Sequence, residues 1–519
     1  MLNNMTDSSP WLWLNGVSGQ VLTALAISLV IYFILSTKRQ TKGQCPPLPG
    51  PRGLPLVGYL PFLGPDLRFT FNDLSTKYGP IFKFHLGNRV CVAVNSPSHA
   101  KEVLKDQDLV FANRIPTVTL KLATFGELDI VTSDYGPGWR KLKKIFVGEM
   151  LSSANIDATY SRRKQQMMKT ISKIYRSANE SIDIGELIFQ TIFGSVMNMV
   201  WGDTMKEEDS AEINLEFKSV FSDFLTLSAK PNISDYLPFL ACFDLQGIGR
   251  KMKAVADKVE SLFDLAIDRR FASKNDNHND FLGHLLKLTK LDDPAMSLNL
   301  AQVKGILMDA IVGGVDTTAT TVEWAMAELL KHPKKMRLLQ EELAEAFGLD
   351  NTVDEAHLPK LKYLNAVLKE TLRLHSPVAL LIPHCSSKTT TVGGYTVPKT
   401  STIFVNLWAI HRDPEVWEDP FEFTPERFLD DSQNLDFLGK KTMYIPFGSG
   451  RRMCPGLFLA EKMSMFVLSS LLHAFEWTLP DGTVDVDISE VFGMVVRKSK
   501  PTIAIPSPRL TRSELYSDE

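Results

Sequence analysis

The sequence predicts one large, mainly α-helical domain with small β-sheets, standing behind a single N-terminal transmembrane helix. Three observations predict it. From about residue 96 onward helical patterns dominate, punctuated by proline and glycine. Apolar and polar residues alternate as in a strand only over short stretches, most clearly at 81–94. Residues 11–35 carry no charged side chain, and about 20 apolar residues suffice to span a bilayer. A length of 519 residues has room for about three domains. No long Gly/Ser-rich or Pro-rich linker follows residue 51, however, and no segment repeats. The expected division is therefore a membrane anchor and basic linker over 1–45 and one domain over 46–519.

Composition narrows the function. Hydrophobic residues make up 44% of the chain, enough for a substantial core. A net charge of −3 gives no electrostatic basis for binding nucleic acid. The cysteines at 45, 91, 242, 385 and 454 are odd in number and far apart. They form neither a disulfide framework nor a paired zinc motif, as expected in a reducing compartment.

In chain order, the apolar run 11–35 is followed at once by Lys38, Arg39 and Lys42 and preceded only by Asp7. The positive-inside rule then places the N-terminus in the lumen and the body in the cytosol. A cleaved signal peptide would need a basic n-region and a small-residue cleavage site, and neither is present. Residues 46–51, Pro-Pro-Leu-Pro-Gly-Pro, are stiff and form a rigid hinge. Residues 81–94 read as a hairpin turning at Gly87 and Asn88. Trp139 opens a basic amphipathic helix, and 272–280 is a polar surface loop. Residues 299–331 form one long helix ended by His332 and Pro333, and they contain Gly-Gly-Val-Asp-Thr-Thr at 313–318. Glycines inside a helix cost roughly 1 kcal/mol each. Here they make room for a group approaching the backbone, and a nearby threonine can divert a backbone hydrogen bond. Residues 360–375 form a further helix, on which Glu370 and Arg373 share a face. An apolar stretch at 378–383 lines a pocket. A hairpin is expected over 394–404 around Pro398, and an apolar turn at 492–496.

The chemistry concentrates at residues 447–456, Phe-Gly-Ser-Gly-Arg-Arg-Met-Cys-Pro-Gly. Glycines let a backbone turn tightly and approach a bulky ligand. Pro455 suits the first position of a helix, and the apolar run 457–472 reads as that helix. Cys454 then stands at a helix N-terminus, where the dipole and free N–H groups favour a thiolate. Alone it would read as a buried free cysteine. Together, Phe447, Gly450, Arg452, Cys454 and Gly456 resemble the haem-binding signature of the cytochrome P-450 family, in particular its plant microsomal members. The resemblance runs from about residue 46 to about 507.

That resemblance implies the cytochrome P-450 fold and a haem b whose iron takes Cys454 as its thiolate ligand. It places Phe447, Arg452 and Gly456 around the haem, and puts Trp139 and Lys143 on a propionate. The family usually has arginine where this chain has Lys143, and lysine keeps the charge without the bidentate fork. The family also commonly has arginine after the proline at 383. This chain has His384, so either His384 takes that role or the contact comes from elsewhere. Residues 313–318 resemble the oxygen-activation segment, with Asp316 and Thr317 on the proton-delivery positions. Glu370, Arg373 and Arg427 map to a bracing network that serves folding and haem retention. The turn at 492–496 would close the pocket from the side.

The implied activity is a monooxygenase acting on a small apolar metabolite. A terpenoid is the first expectation and a flavonoid-type phenolic the second. Dioxygen is the co-substrate, and NADPH supplies electrons through a separate NADPH–cytochrome P-450 reductase, because this chain has no flavin or nicotinamide motif. Arg140, Lys143, Lys144, Lys440, Lys441 and Arg451 offer that reductase a cationic face. The implied location is the endoplasmic reticulum membrane, single-pass, with the catalytic domain cytosolic. The rivals are a haem-thiolate isomerase or dehydratase that needs no oxygen, and a non-enzymatic haem-binding protein. Asp316 and Thr317 would be superfluous in either. Substrate pocket candidates are 120–128, 306–315, 378–382 and 492–496. A dinucleotide fingerprint fails because Met453 stands at its third glycine.

Overall fold

The computed structural model describes residues 45–518 apart from 127, 203–206, 273–279, 431–434 and 484, with only isolated positions before 45. The expected transmembrane run 11–35 and the basic residues after it lie outside the described residues, as does most of the expected loop 272–280. Among the described residues one helix, Leu457–Ala474, is long and apolar enough to cross a membrane; it is a buried core helix.

The architecture is mainly helical, and its centre is the helix Leu300–Lys331. Asn299 caps it. The Asn299 side chain accepts from the Gln302 N–H at 2.8 Å, and Gln302 answers by accepting from the Asn299 N–H at 3.1 Å. Such a box satisfies two N-terminal donors at once. His332 and Pro333 end the helix as the sequence predicts, because proline opens the next helix, Pro333–Phe347. The long helix packs against Ile184–Trp201, Lys362–Leu374 and Leu457–Ala474. Their apolar faces merge into the main core with Trp324, Leu364 and Leu468, none of which reaches solvent. Burying a large apolar side chain contributes roughly 1.5–3 kcal/mol.

The expected hairpin is present as Ile81–Leu86 paired antiparallel with Arg89–Val94. Gly87 takes a left-handed conformation with φ 56°. This hairpin is the outer half of a four-stranded sheet. Its second strand pairs in parallel with Thr402–Val405, which pairs in turn with His384–Cys385. The hairpin expected over 394–404 is corrected. Thr390–Val392 pairs with Tyr395–Val397 across Gly393 and Gly394, whose φ values are 56° and 78°. Two consecutive positive φ values suit the tight turn whose twist matches a hairpin. The strand after Pro398 leaves for the four-stranded sheet instead.

Glu370, Arg373 and Arg427 come together as the resemblance implied. Arg373 donates to Glu370 through Nε at 2.7 Å and Nη2 at 2.8 Å, and Arg427 Nε reaches Glu370 Oε1 at 3.1 Å. Arg373 also donates to the carbonyls of His411 and Pro420, each at 2.8 Å. Neither Glu370 nor Arg373 is exposed at all, so this is a buried network rather than a surface pair. It ties the helix Lys362–Leu374 to the segment that leads to Cys454.

Candidate active site

A cavity of about 1700 Å³ of empty space, part of it open to solvent, runs beside Cys454. Its floor is residues 446–449 and 452–456, and its wall is the stripe Asp309, Ala310, Gly313, Gly314, Thr317, Thr318 and Thr321 of the long helix. Those positions recur every three to four residues, one face of an α-helix. Val378, Leu381 and Ile382 form another side. Pocket candidates 306–315 and 378–382 thus contribute to the wall. Among the described residues, candidates 120–128 and 492–496 do not line this cavity. Phe492 instead packs under the sheet, with its ring 5.6 Å from the Arg68 guanidinium.

The Cys454 turn is built by backbone demands. Gly450 has φ 67°, and a Cβ there would meet the Leu104 carbonyl oxygen at 1.9 Å. Glycine is therefore the residue that fits. Cys454 N–H donates to the Phe447 carbonyl at 2.9 Å and closes the loop. The helix begins with the apolar run, as expected, but Pro455 is not its first residue. Its first residue is Leu457 and its N-cap is Gly456, so Pro455 belongs to the turn. Burial pushes the Cys454 thiol up, while the Gly456 N–H and the Lys143 charge pull it back. A metal at that sulfur would deprotonate it outright.

Above the turn, cations gather. Arg452 donates to the carbonyls of Ala112 at 2.6 Å and Ile130 at 2.9 Å, and its guanidinium lies 4.5 Å from the Trp139 ring centre. The Trp139 indole N–H donates to the same Ile130 carbonyl at 2.9 Å. Trp139 is thus a platform under Arg452 and Lys143, with its own donor already committed. Lys143 lines the cavity and donates to the Arg451 carbonyl at 2.6 Å. Burial and the neighbouring Arg452 charge lower its pKa.

His384 also lines the cavity, but its Nδ1 sits 2.8 Å from the Phe111 carbonyl. The donated proton is therefore on Nδ1, which leaves Nε2 of the neutral ring as an acceptor. Burial and the charges of Arg114 and Arg452 hold His384 well below its usual range. A carboxylate needs a donor, and Arg114 supplies one at this wall. The sequence reading missed Arg114; the available signal was an arginine set between Phe111 and Pro116 in an apolar stretch. Its guanidinium donates to the carbonyls of Ile382 and Pro383, directly before His384. Its Nε is buried without a partner among the described residues.

These features fit a porphyrin. An unpartnered buried N–H on Arg114, with Arg452 and Lys143 beside it, suits propionates. Gly313 faces open space, since a Cβ there would meet nothing within 4 Å, so a flat group can approach the helix backbone. Cys454 stands opposite, in the floor. The residues that would hold the haem are Cys454 at the iron, Arg114, Lys143 and Arg452 at the propionates, and Phe447 and Gly456 beneath the ring. When bound, a thiolate-ligated haem supplies dioxygen activation, because the sulfur pushes electron density toward O–O cleavage.

The two expected proton-delivery residues differ. Thr317 faces the cavity, and its Oγ1 donates to the Gly313 carbonyl at 2.7 Å. Asp316 is not in the cavity wall. It is 3% exposed and paired with Arg497. Burial raises its carboxyl and Arg497 opposes that.

The family profile described as "Cytochrome P-450" matches residues 48–505. The chain is 37% identical to geraniol 8-hydroxylase of Swertia mussotii, covering 89% of this chain and 93% of that one. It is 35% identical to 3,9-dihydroxypterocarpan 6A-monooxygenase of Glycine max, over 95% and 98% of the two chains. It is 33% identical to flavonoid 3',5'-hydroxylase of Campanula medium, over 90% and 92%. A zebra fish cytochrome P-450 solved with progesterone superposes with a TM-score of 0.74 at 26% identity, covering 86% of this chain and all of that one. With the thiolate turn, the cationic rim and the threonine-bearing helix around one cavity, the chain belongs to the cytochrome P-450 family and is a haem-dependent monooxygenase.

Proposed function

We propose that this enzyme inserts one oxygen atom from O2 into a small, largely apolar plant metabolite, with terpenoids the first substrate class and flavonoids or other phenolics the second. The observation that carries this reading is the cavity wall, which is mainly aliphatic and aromatic between Cys454 and Thr317. Such pockets bury apolar ligands and orient them through a few polar groups. The relatives named for geraniol and for flavonoids support the two classes in that order of identity, 37% and 33%.

Within the cavity, Thr317 holds a hydroxyl on the face shared with Gly313, where it hydrogen-bonds water or substrate and passes a proton on. Asp316 supplies protons from the solvent side, with Arg497 setting its charge. Electrons come from NADPH through a flavoprotein reductase that docks on Arg140, Lys143, Lys144, Lys440, Lys441 and Arg451. The body rests on the endoplasmic reticulum membrane behind the anchor at 11–35. In support, Leu54, Leu56 and Phe62 are exposed, as are Phe239, Phe243 and Leu245. The two segments are joined through Gly87 N–H to Val57 and Asn88 N–H to Tyr236.

The test is a binding screen on the haem-loaded full chain in membranes, using geraniol and naringenin as probes and the haem absorption band as readout, followed by product analysis with NADPH and reductase. A band shift and an oxygenated product with geraniol support the first class. Product from naringenin alone transfers the assignment to the second. Shifts without NADPH-dependent product refute the oxygenase reading. Cys454→Ser must lose the red-shifted carbon monoxide band of the reduced protein if Cys454 is the iron ligand.

A further inference from the structure

Residues 413–422 hold five carboxylates and no lysine, arginine or histidine, in a chain whose net charge is only −3. Phe421 stands among them and is 66% exposed. Its loop is fixed from within. Arg373 donates to the carbonyls of Pro420 at 2.8 Å and Glu422 at 3.1 Å, and Arg427 donates to the Glu418 carbonyl at 3.0 Å. The backbone on both sides of Phe421 is thereby held. The side chains of Glu418, Asp419 and Glu422 are exposed, and none is in an ion pair among the described residues. Two more rings extend the patch. Phe421 lies 6.3 Å from Trp408, which lies 4.9 Å from Phe69, itself 45% exposed. Arg412 already packs on Trp408 at 5.0 Å, so Phe421 is the ring with room for a new neighbour.

A held aromatic ring set among carboxylates selects cations. The ring face attracts them and the carboxylates pair with them. An anionic lipid surface is repelled by the same charges. A complementary surface stands on the same chain. Arg140 and Lys144 lie four residues apart on the helix Pro137–Ile145, both exposed and neither in an ion pair among the described residues. Val147, in the turn Phe146–Met150 that continues the helix, is 40% exposed. Such spacing puts two cations and one apolar side chain on one face, which matches carboxylates placed around one ring.

We infer that the patch around Phe421 docks onto Arg140, Lys144 and Val147 of a second copy of this chain. The two surfaces differ, so the contact is head-to-tail: each copy offers its patch to one neighbour and its helix to another, and the assembly grows as an open chain. The charges steer the encounter and make it salt-sensitive, while Phe421 supplies the anchor. Arg140 and Lys144 also belong to the face proposed above for the reductase. A docked copy therefore shields that face, and crowding of the enzyme restrains its own electron supply. Only this consequence rests on the proposed function; the contact itself does not.

The contact is measured as energy transfer between donor- and acceptor-labelled copies of the haem-loaded full chain, labelled at the C-terminus and set in phosphatidylcholine vesicles. Transfer should exceed that of randomly placed copies at the same density, and should fall as salt rises from roughly 0.05 M to 0.5 M. Phe421→Ala should weaken association roughly tenfold with the haem band unchanged. Charge reversal is the sharper arm. Glu418→Lys with Glu422→Lys sets cations against Arg140 and Lys144. Arg140→Glu with Lys144→Glu sets carboxylates against the patch. Neither double variant should associate with itself. Mixed together, the first still carries the native helix and the second the native patch, so transfer between them returns. Phe421→Ala added to both removes it again. Parent transfer at the random level overturns the inference, as does self-association that persists in either double variant or a mixture that shows no transfer. Mixture transfer that survives Phe421→Ala in both chains is bulk charge attraction and overturns it as well. If a double variant loses its haem band, the salt series and Phe421→Ala decide. Reductase-supported turnover lost in Arg140→Glu with Lys144→Glu, without self-association of the parent, sinks the contact and leaves the reductase face standing.

Discussion

Arg497 Nη2 lies 2.6 Å from Asp316 Oδ1. The carboxylate belongs to the long helix and the guanidinium to the strand Arg497–Lys498, so the contact pins the end of the chain onto the helix behind the oxygen side of the cavity. The second carboxylate oxygen is buried without a partner among the described residues. Arg497→Gln should therefore leave a buried charge uncompensated, costing about 1–3 kcal/mol, less than for a fully buried pair because Arg497 is half exposed. Asp316→Asn added to it should recover part of that loss, giving a non-additive double-variant cycle in thermal unfolding. Removing the cation also raises the carboxyl pKa, so any turnover limb that reports Asp316 ionisation should move to higher pH. Strict additivity would mean the contact contributes nothing.

Thr317→Ala tests the hydroxyl in the wall. Alanine is the better helix former, and the lost bond to the Gly313 carbonyl is a local one that the helix does not need. Haem and substrate binding should stay near the parent's. Product per NADPH consumed should fall several-fold, with hydrogen peroxide making up the difference. General acid help is typically worth about 10² to 10⁴ in rate, and water replaces part of it. A parent-like ratio of product to NADPH would reduce Thr317 to a structural residue.

Glu370→Gln removes the charge that holds Arg373 and Arg427 together. Breaking a buried ion pair by removing one partner costs about 3–5 kcal/mol. The variant should accumulate poorly and release haem faster, measured as haem transfer to an apoprotein acceptor. Glu370→Asp should do better than Glu370→Gln, since charge matters here and reach is secondary. Parent-like haem retention in Glu370→Gln would remove the bracing role.

A second buried cluster predicts an acid limit to stability. His375 bridges Glu328 at 2.7 Å and Glu490 at 3.0 Å, and its ring stacks on Trp324 at 3.9 Å. Burial alone would raise both carboxyls. Hydrogen bonds from His332 and His375 hold Glu328 at about 2 instead, and His375 with Arg68 holds Glu490 at about 2. A depressed carboxylate stabilises the fold above its unperturbed value near 4.5, and that stability is lost as pH falls toward 2. His375 is raised despite burial, so its contribution is complete below 6.5 and fades as pH climbs past its folded value. The cluster contributes most between about 4.5 and 6.5. Glu328→Gln should cost on the order of 2–3 kcal/mol in that window and flatten the acid limb of a melting-temperature profile. An unchanged acid limb would rule the cluster out as its cause.

The elements legible in the sequence were those set by local chemistry. The capped and proline-terminated helix Leu300–Lys331, the glycine-turned hairpin 81–94 and the thiolate turn at 447–456 follow from short-range demands on φ, hydrogen bonding and periodicity. The pairing of Glu370 with Arg373 was legible as well, because charge spacing on one helix is a local property, whereas Arg427, on the separate turn Pro425–Phe428, was reached only through the family resemblance. What the sequence could not decide was which distant groups meet. The Trp139 donor goes to Ile130, not to the cavity, and Arg114, not His384, offers the free donor at the wall. Asp316, expected on the oxygen side of the cavity, turns instead to Arg497. The strand after Pro398 joins a sheet formed with residues 89–94 rather than folding back on its neighbour. Such outcomes depend on tertiary packing, which selects a partner for each buried polar group from segments that are mostly remote in the chain, 268 residues apart for Arg114 and Ile382, and no local pattern encodes that choice.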